Sequence, residues 1–559
     1  MATVEEYRAM DWWAESDTPV HNDSRVIFLP DGRLTMREMC LQFLKARRFI
    51  HLANWGVTPS IELVRGSDQR AGADGSPEQQ QLMATLREEG LDETAIHFWC
   101  TQRLTLLAVL RFVVGKGVDV RILPWDCPPI FSHYDPKAAE KELTEAGITC
   151  LLDDSSRDYL RHLAESLHQK ITIVDGAVAF VGGIDPLIEK LEDYDRWDTS
   201  AHQFASTLRE ITPDKPPHPW HDAHARIEGP AAADVELNFR QRWNDVIERK
   251  SLDKKLLLAE EAPPPPVQPE QRTGLVQIAR TIPKQTYKFA PPEGIQSIAE
   301  LYAKALDNAQ QFIYLENQYF WLRAYSGLDI SLIGFDSPEM ERNIRELGES
   351  LRRGAFMAIV LPDHPNVGRA FTDTGLDRLR DEAPEAVEEG RLHAFTLGTW
   401  EQRADGIHYR PVYVHAKVAI IDDIWTTVGS GNLNNRGMRD DVEMNVAALD
   451  PRQAYRLRLL LWAEHLGLIS DEDMFEVAYY YQHQQTHGRG EEIWQKLTQM
   501  IGNPQVGMAM MAQQAWDNLK RFQQKQPLVG HLLPYLKADE ARQQGLNFRE
   551  DEGWLEEAS

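Results

Sequence analysis

The stretch HQKITIVDGAVAFVGGID (168–185) has a counterpart in HAKVAIIDDIWTTVGSGN (415–432). Both contain the pattern His-x-Lys-x-x-x-x-Asp, and both continue into a glycine-containing turn at a constant offset of 247 residues. One copy of so short a pattern arises easily by chance, whereas two copies in register indicate a duplication. We therefore predict two related halves, each of which supplies half of one shared site.

The segments around each motif repeat the same order of apolar strands. In the first half these segments are 46–55 and 121–126, and in the second half they are 309–320 and 358–363. The stretches between them have helical apolar spacing and end in glycine, as helix C-termini often do. Strands that alternate with helices predict an α/β fold, with an α-β-α sandwich in each half.

A proline-rich stretch, EEAPPPPVQPEQRTG (260–274), separates the two halves. Successive prolines remove backbone donors and favour an extended conformation, which is typical of a linker; a docking site for a proline-recognising partner is the alternative. The predicted division is an N-terminal lobe over 1–255, the linker over 256–284, a C-terminal lobe over 285–480, and a helical C-terminal region with a tail over 481–559.

The composition restricts the class of partner. The chain of 559 residues carries a net charge of −26, which opposes long-range attraction to nucleic acid. The sequence shows neither an apolar stretch of membrane-spanning length nor a signal-peptide pattern, so we expect a chain that is soluble and cytoplasmic as synthesised, with later secretion left open. The four cysteines lack the spacing of a zinc site or a disulfide framework, and we expect no metal at them.

The doubled motif predicts phosphodiester chemistry. Because strand side chains alternate between faces, His168 and Lys170 share one face, as do His415 and Lys417. Two imidazoles and two ammonium groups would then surround one anionic centre. One neutral histidine can attack phosphorus, and the other, protonated, can donate to the leaving alkoxide. Near neutrality such a pair is expected to share one proton, while the lysines bind the non-bridging oxygens.

Carboxylates are needed to hold each imidazole in its reactive tautomer. The candidates are Glu443, 28 residues after His415, and Asp198, 30 residues after His168. Which carboxylate pairs with which histidine stays open. Asp175 and Asp422 complete the motifs as candidate catalytic residues, although the turn that follows each strand favours aspartate anyway, so support of the turn is the preferred interpretation.

The turns VGGID (181–185) and VGSGN (428–432) are candidate phosphate-binding segments. Glycines such as Gly183 allow the backbone to approach a phosphate closely, and Ser430 and Asn432 can donate hydrogen bonds to it. An ionised Asp185 cannot donate to a phosphate. We expect Asp185 to orient the loop or a lysine.

With these motifs the sequence resembles the phospholipase D superfamily, whose hallmark is the His-x-Lys-x-x-x-x-Asp pair. Further segments look like the phosphatidylcholine-cleaving branch of eukaryotes and some bacteria: LENQYF (315–320), PWHDAHARIEGPAA (219–232), NFRQRWN (238–244) and PLVGHLLPYL (527–536). The resemblance covers roughly residues 40–545. One departure from the family pattern is Gly437 in NNRGM, where the family usually has serine. This difference predicts a different geometry for that loop.

The resemblance implies two pseudo-symmetric lobes with the active site at their interface, and a monomeric core. It also implies His168 as the nucleophile and His415 as the general acid. No cofactor or metal is expected in the chemical step, and stimulation by Ca²⁺ is left open. The expected partner is a phospholipid membrane surface.

The expected activity is therefore hydrolysis of a glycerophospholipid to phosphatidic acid and a free head group, with transphosphatidylation as a side reaction. The alternatives are a phosphatidyltransferase of the cardiolipin-synthase kind, a nuclease of the same superfamily, and an inactive scaffold. Family analogy also suggests a bacterial effector with a secretion-system partner and an immunity protein.

Overall fold

The computed structural model describes residues 4–128, 134–156, 165–189, 194–210, 217–260, 274–324, 335–363, 368–483 and 488–546. The helices of this part of the chain are α1 (Val4–Ala9), α2 (Asp31–Lys45), α3 (Pro77–Glu88), α4 (Glu93–Thr101), α5 (Leu106–Gly115), α6 (Pro136–Glu145), α7 (Pro230–Arg249), α8 (Ser297–Asn308), α9 (Pro338–Arg352), α10 (Arg369–Glu382), α11 (Pro384–Glu388), α12 (Pro451–His465), α13 (Asp471–His483), α14 (Arg489–Ile501), α15 (Pro504–Gln523) and α16 (Ala538–Gln543).

The strands of the same residues are β1 (Arg25–Pro30), β2 (Phe49–Ala53), β3 (Asp119–Ile122), β4 (Thr149–Cys150), β5 (Ile171–Val174), β6 (Val178–Gly182), β7 (Ile188–Glu189), β8 (Tyr194–Asp195), β9 (Trp220–His221), β10 (Ala223–Glu228), β11 (Leu275–Ile282), β12 (Ile295–Gln296), β13 (Phe312–Asn317), β14 (Phe356–Val360), β15 (Leu392–Arg403), β16 (Gly406–Val414), β17 (Lys417–Ile421), β18 (Trp425–Gly429), β19 (Glu443–Leu449) and β20 (Leu532–Pro534).

Two sheets repeat one topology. The first has the order β1-β10-β6-β5-β2-β3-β4, and the second contains the matching path β11-β19-β18-β17-β13-β14-β15. The motif strands β5 and β17 occupy equivalent central places in these paths. This correspondence confirms the predicted duplicated α/β fold.

Helices cover both faces of each sheet. α2, α4 and α5 pack on the outer face of the first sheet, and α8, α9 and α10 pack on the outer face of the second. A central core between the sheets contains side chains of both, together with α7 and α12. As strand alternation predicts, Ile171 and Ile173 of β5 and Val418 of β17 point into this central core. Each lobe is therefore an α-β-α sandwich. The lobes meet through α7 and α12 and through strands β6 and β10, which pack on β18 and β19.

The two halves are more interleaved than the predicted division suggests. Residues 275–282, predicted as linker, form β11 and pair with β19. β9 of the first half pairs in parallel with β16 of the second, and Tyr7 donates a hydrogen bond to Asp422 at 2.8 Å. The prolines predicted as the linker lie outside the described residues. A proline-rich composition indicates a connection between the halves, but it does not show at which residue the next paired strand begins.

α12 lies within the predicted C-terminal lobe, and α14 and α15 form the helical part of the region that follows. β20 then returns to pair with β15. Within the described residues, none of the helices is both long enough and apolar enough to cross a bilayer.

Candidate active site

The two motif histidines face each other across the lobe interface, with ring centroids 6.3 Å apart. Each lies just before its motif strand, where its backbone is tied to the other lobe. The His168 amide donates to Val442 O at 2.9 Å, and the His415 amide donates to His221 O at 2.8 Å. These reciprocal bonds bring the two halves of the site together, as the duplication predicts.

Each imidazole is held by a carboxylate from the opposite lobe. His168 Nδ1 lies 3.0 Å from Glu443 Oε1, and His415 Nδ1 lies 2.7 Å from Asp222 Oδ2. When Nδ1–H donates to a carboxylate, the neutral imidazole presents an unprotonated Nε2 for attack or proton transfer. The structure therefore supplies two oriented imidazoles whose reactive nitrogens can serve one substrate.

Glu443, predicted as an orienting carboxylate, lies beside His168. The structure does not bring Asp198, the other predicted candidate, to either motif histidine. Asp198 accepts hydrogen bonds from Arg209 Nε at 3.0 Å and from the Trp220 amide at 2.8 Å, and Asp222 takes the expected place.

The spacing after the motif pointed to Asp198 instead of Asp222 because the first half contains an insertion. Glu443 begins β19, and Asp222 immediately precedes β10, the equivalent strand. The segment 186–219 separates β10 from its motif strand, so a spacing copied from the second half falls short of the right carboxylate. The signal that could have found Asp222 is its place at the start of the alternating strand segment DAHARIEG (222–229).

The lysines lie beside the histidines, and each ammonium group contacts both a backbone carbonyl and a side chain. Lys170 Nζ donates to His168 O at 2.9 Å and pairs with Asp185 at 3.1 Å, so Asp185 is placed to orient this lysine. Lys417 Nζ donates to His415 O and, at 3.1 Å, to Gln318 Oε1. Gln318 is thus the side-chain partner of Lys417, whereas Asn432, the residue in register with Asp185, contacts Gln318. The sequence interpretation missed Gln318.

Residues of the glycine turns lie against the orienting carboxylates and against Gln318. A Cβ on Gly183 would lie 2.0 Å from Asp222 Oδ1, so glycine leaves room for that carboxylate. Ser430 Oγ donates to Glu443 Oε2, and Asn432 Nδ2 donates to Gln318 Oε1 at 3.3 Å. In the structure Gly183, Ser430 and Asn432 thus help to position these partners, and their contacts with phosphate stay a prediction.

A glycine is also required in the loop that departs from the family pattern. A Cβ on Gly437 would lie 2.2 Å from Asn432 O, and the Gly437 carbonyl accepts a hydrogen bond from Thr281 Oγ1 at 2.8 Å. The close approach of these backbones accounts for glycine at this position.

Asp175 and Asp422 hold the turns that follow the motif strands. Both have left-handed backbone, with φ of 56° and 54°. Asp175 accepts from the amides of Arg48 at 2.7 Å and Phe49 at 2.9 Å, and Asp422 accepts from the Phe312 amide at 2.7 Å. These carboxylates therefore connect each motif strand to the start of its neighbour. Both carboxylates thus occupy turn-supporting positions, which is the preferred interpretation from the sequence.

Burial and the two lysines control the charge of the site. Burial, with Lys170 and Lys417, lowers the pKa of His168 well below its usual range, and the same causes lower the pKa of His415. Burial lowers the pKa of Lys417 to about 7. The pocket without substrate therefore favours two neutral imidazoles, in place of the predicted shared proton. A phosphodiester anion beside the lysines would offset their repulsion and favour protonation of one imidazole.

Two arginines that the sequence interpretation missed lie on either side of the pair. The Arg196 guanidinium stacks over Trp220 with 4.0 Å to the ring centroid, and its charge contributes to the lowered pKa of His415. Arg436 pairs with Asp441 through two hydrogen bonds, and its charge contributes to the lowered pKa of His168. Cationic side chains therefore lie around the histidine pair within a strongly acidic chain, which suits an anionic substrate.

A family model described as phospholipase D matches residues 100–330 and 380–514. The chain therefore belongs to the phospholipase D family. In an alignment of 638 positions it is 26% identical to phospholipase D alpha 1 of Zea mays. The alignment covers 91% of this chain and 70% of that protein. It is 27% identical over 614 residues to phospholipase D alpha 1 of Oryza sativa subsp. japonica, covering 88% and 68%.

Among solved structures, the phosphatidylserine synthase of Haemophilus influenzae Rd KW20 aligns with a TM-score of 0.47 and 11% identity, over 79% of this chain and 86% of that one.

Proposed function

We propose that the protein is a phospholipase D that hydrolyses the distal phosphodiester bond of glycerophospholipids, releasing phosphatidic acid and the free head group. The observation that carries the proposal is the crossed pairing at the lobe interface. Each histidine is oriented by a carboxylate of the opposite lobe and accompanied by its own lysine. Similarity to phospholipase D alpha proteins supports this substrate class.

In the first proposed step, Nε2 of His168 attacks phosphorus. The bond between phosphorus and the head-group oxygen breaks as His415, protonated when the anionic substrate binds, transfers its proton to that oxygen. The product is a phosphatidyl group linked to His168 and a head-group alcohol whose hydroxyl carries the transferred proton. Lys170 and Lys417 stabilise the negative charge on the non-bridging oxygens in the transition state.

In the second step, His415 is neutral and takes a proton from water. The resulting hydroxide attacks phosphorus, the bond to His168 Nε2 breaks, and phosphatidic acid leaves. An alcohol in place of water gives transphosphatidylation by the same bonds. Every proton in this scheme moves through a side chain, so we propose that the chemistry requires no cofactor and that any stimulation by Ca²⁺ acts at the membrane surface.

The test uses unilamellar vesicles of phosphatidylcholine, with lipid products identified by mass spectrometry and choline measured in parallel. We expect choline and phosphatidic acid in equal amounts. His168→Ala and His415→Ala are each expected to lower turnover by on the order of 10²-fold or more. The exposed His97→Ala is the matched control and should retain full turnover.

The same preparation incubated with plasmid DNA separates this proposal from a nuclease. DNA nicking without choline release would overturn the proposal. Addition of phosphatidylglycerol as an acceptor separates hydrolysis from phosphatidyl transfer, because cardiolipin as the dominant product would assign the protein to the transferase class instead.

A further inference from the structure

A buried cluster of imidazoles and carboxylates lies behind the candidate active site. Asp31 begins α2, His202 lies in the segment 194–210, His221 belongs to β9, and Glu464 lies near the end of α12. All four are at most 1% exposed, and one ligand atom from each lies within 4.8 Å of the others. We call these four residues the buried ligand cluster.

The contacts within the buried ligand cluster converge on two imidazole nitrogens and two carboxylates. His221 Nδ1 lies 3.1 Å from Asp31 Oδ1 and 2.9 Å from Glu464 Oε1. His202 Nε2 lies 2.8 Å from the same Glu464 oxygen. Two imidazoles and two carboxylates are a donor set that zinc accepts with tetrahedral geometry.

The other nitrogen of each imidazole faces an outer carboxylate. His202 Nδ1 lies 3.3 Å from Asp198 Oδ2, and His221 Nε2 lies 2.9 Å from Glu316 Oε2. Metal-ligating histidines usually donate their second N–H to a carboxylate, which fixes the tautomer and the ring orientation. The outer carboxylates are held in turn, since His465 Nε2 lies 2.9 Å from Glu316 Oε1.

The cluster also contains a buried carboxylate oxygen that a cation could satisfy. Glu464 Oε2 has no hydrogen-bond partner among the described residues, although the side chain is buried. A buried carboxylate oxygen without a partner is costly.

Without a cation, both imidazoles would need two protons each, because both nitrogens of each ring face carboxylate oxygens. Two imidazolium rings would then lie with centroids 5.5 Å apart. One divalent cation can replace the two additional protons with the same total charge.

We propose that the buried ligand cluster binds one divalent cation of the zinc class. The site joins α2 and β9 of the first half to α12 of the second. It also fixes His221, whose neighbour Asp222 orients His415. The cation therefore stabilises the lobe interface and takes no part in the transfer of the phosphatidyl group.

The test is the metal content of the purified full-length protein after incubation with Zn²⁺ and desalting, measured by inductively coupled plasma mass spectrometry. We expect about one zinc ion per chain. Removal by a chelator should lower the melting temperature, and Zn²⁺ should restore it. Substitution with Co²⁺ should give the visible absorption of a tetrahedral site with nitrogen and oxygen ligands.

Glu464→Gln and His202→Ala should lose the bound zinc. His51→Ala is the matched control, because His51 is equally buried and contacts Glu236 at 3.0 Å but lies outside the cluster. This control should keep its zinc. A wild-type protein that takes up no zinc, or a Glu464→Gln variant that binds as much as wild type, would overturn the proposal. Metal content is read without any activity assay, so this outcome is independent of the proposed phospholipase reaction.

Discussion

His168 Nδ1 lies 3.0 Å from Glu443 Oε1, although 275 positions separate the two residues in the sequence. The mirror contact joins His415 to Asp222, 193 positions earlier. Because each pair crosses the interface, neither lobe alone contains an oriented imidazole. Activity should therefore depend on the docking of the two lobes as strictly as on the histidines themselves.

Glu443→Gln should lower kcat by on the order of 10²-fold or more, since an amide no longer stabilises the reactive tautomer of His168 or the charge that develops on it. Choline release from vesicles measures the effect. The exposed Glu388→Gln serves as the control and should match wild type. A Glu443→Gln enzyme with normal kcat would show that the pair has no part in turnover.

Asp222→Asn and Asp198→Asn compare the carboxylate that contacts His415 with the first-half candidate that the sequence predicted. Asp222→Asn should reduce kcat by on the order of 10²-fold or more. Asp198→Asn leaves Arg209 without its buried carboxylate and should reduce the free energy of unfolding by about 3 kcal/mol. Urea denaturation and choline release, measured on both variants, give the comparison. The reverse pattern would restore Asp198 as the orienting residue.

Gly183→Ala places a methyl group where the Asp222 carboxylate lies, with only 2.0 Å between the new Cβ and Oδ1. The carboxylate must move, so turnover should fall by roughly 10-fold or more, as expected when a positioned group shifts by about an ångström. The control is Gly115→Ala in α5, where a Cβ meets nothing within 4 Å. Equal turnover in both variants would contradict the role assigned to Gly183.

Asp175→Ala tests the turn-support role. The substitution removes a carboxylate that accepts three backbone amide hydrogen bonds, at 2.9, 2.7 and 2.9 Å. The free energy of unfolding should fall by about 3 kcal/mol, while kcat of the folded fraction stays near wild type. Urea unfolding with a parallel active-site titration separates the two effects. A large loss of kcat with unchanged stability would return Asp175 to the catalytic group.

The pH dependence of kcat/KM should report Lys417, whose pKa burial lowers to about 7. Below that pH the ammonium is charged and attracts the phosphodiester; above it the group is neutral, so kcat/KM should fall as pH rises through about 7. Lys417→Arg keeps its charge throughout this range and should lose this alkaline limb, whatever its absolute rate. An unchanged alkaline limb in that variant would assign the titration to another group.

The duplicated strands and the catalytic histidine and lysine pairs could be predicted because they depend on local patterns: strand alternation, helix ends and a motif repeated in register. Asp222 and Gln318 could not be predicted in the same way. Their roles depend on which strands are neighbours in a sheet, and the insertion at 186–219 changes the spacing in the first half.

The buried ligand cluster illustrates the same limit more strongly. Its members extend from position 31 to position 464 and follow no local spacing. Only the packing of α2 and α12 against β9 brings them together. The prediction of no metal at the cysteines concerned a different set of residues and gave no information about this one.

The most direct test of the central claim is to find the covalent intermediate. A short-chain phosphatidylcholine is mixed with the enzyme, the reaction is quenched within one turnover, and peptides are analysed by mass spectrometry under conditions that preserve phosphoramidates. We expect a phosphatidyl adduct on the peptide that contains His168, and no such adduct in the His168→Ala variant. Choline release with the adduct on His415, or with no adduct in a trapped single turnover, would contradict it.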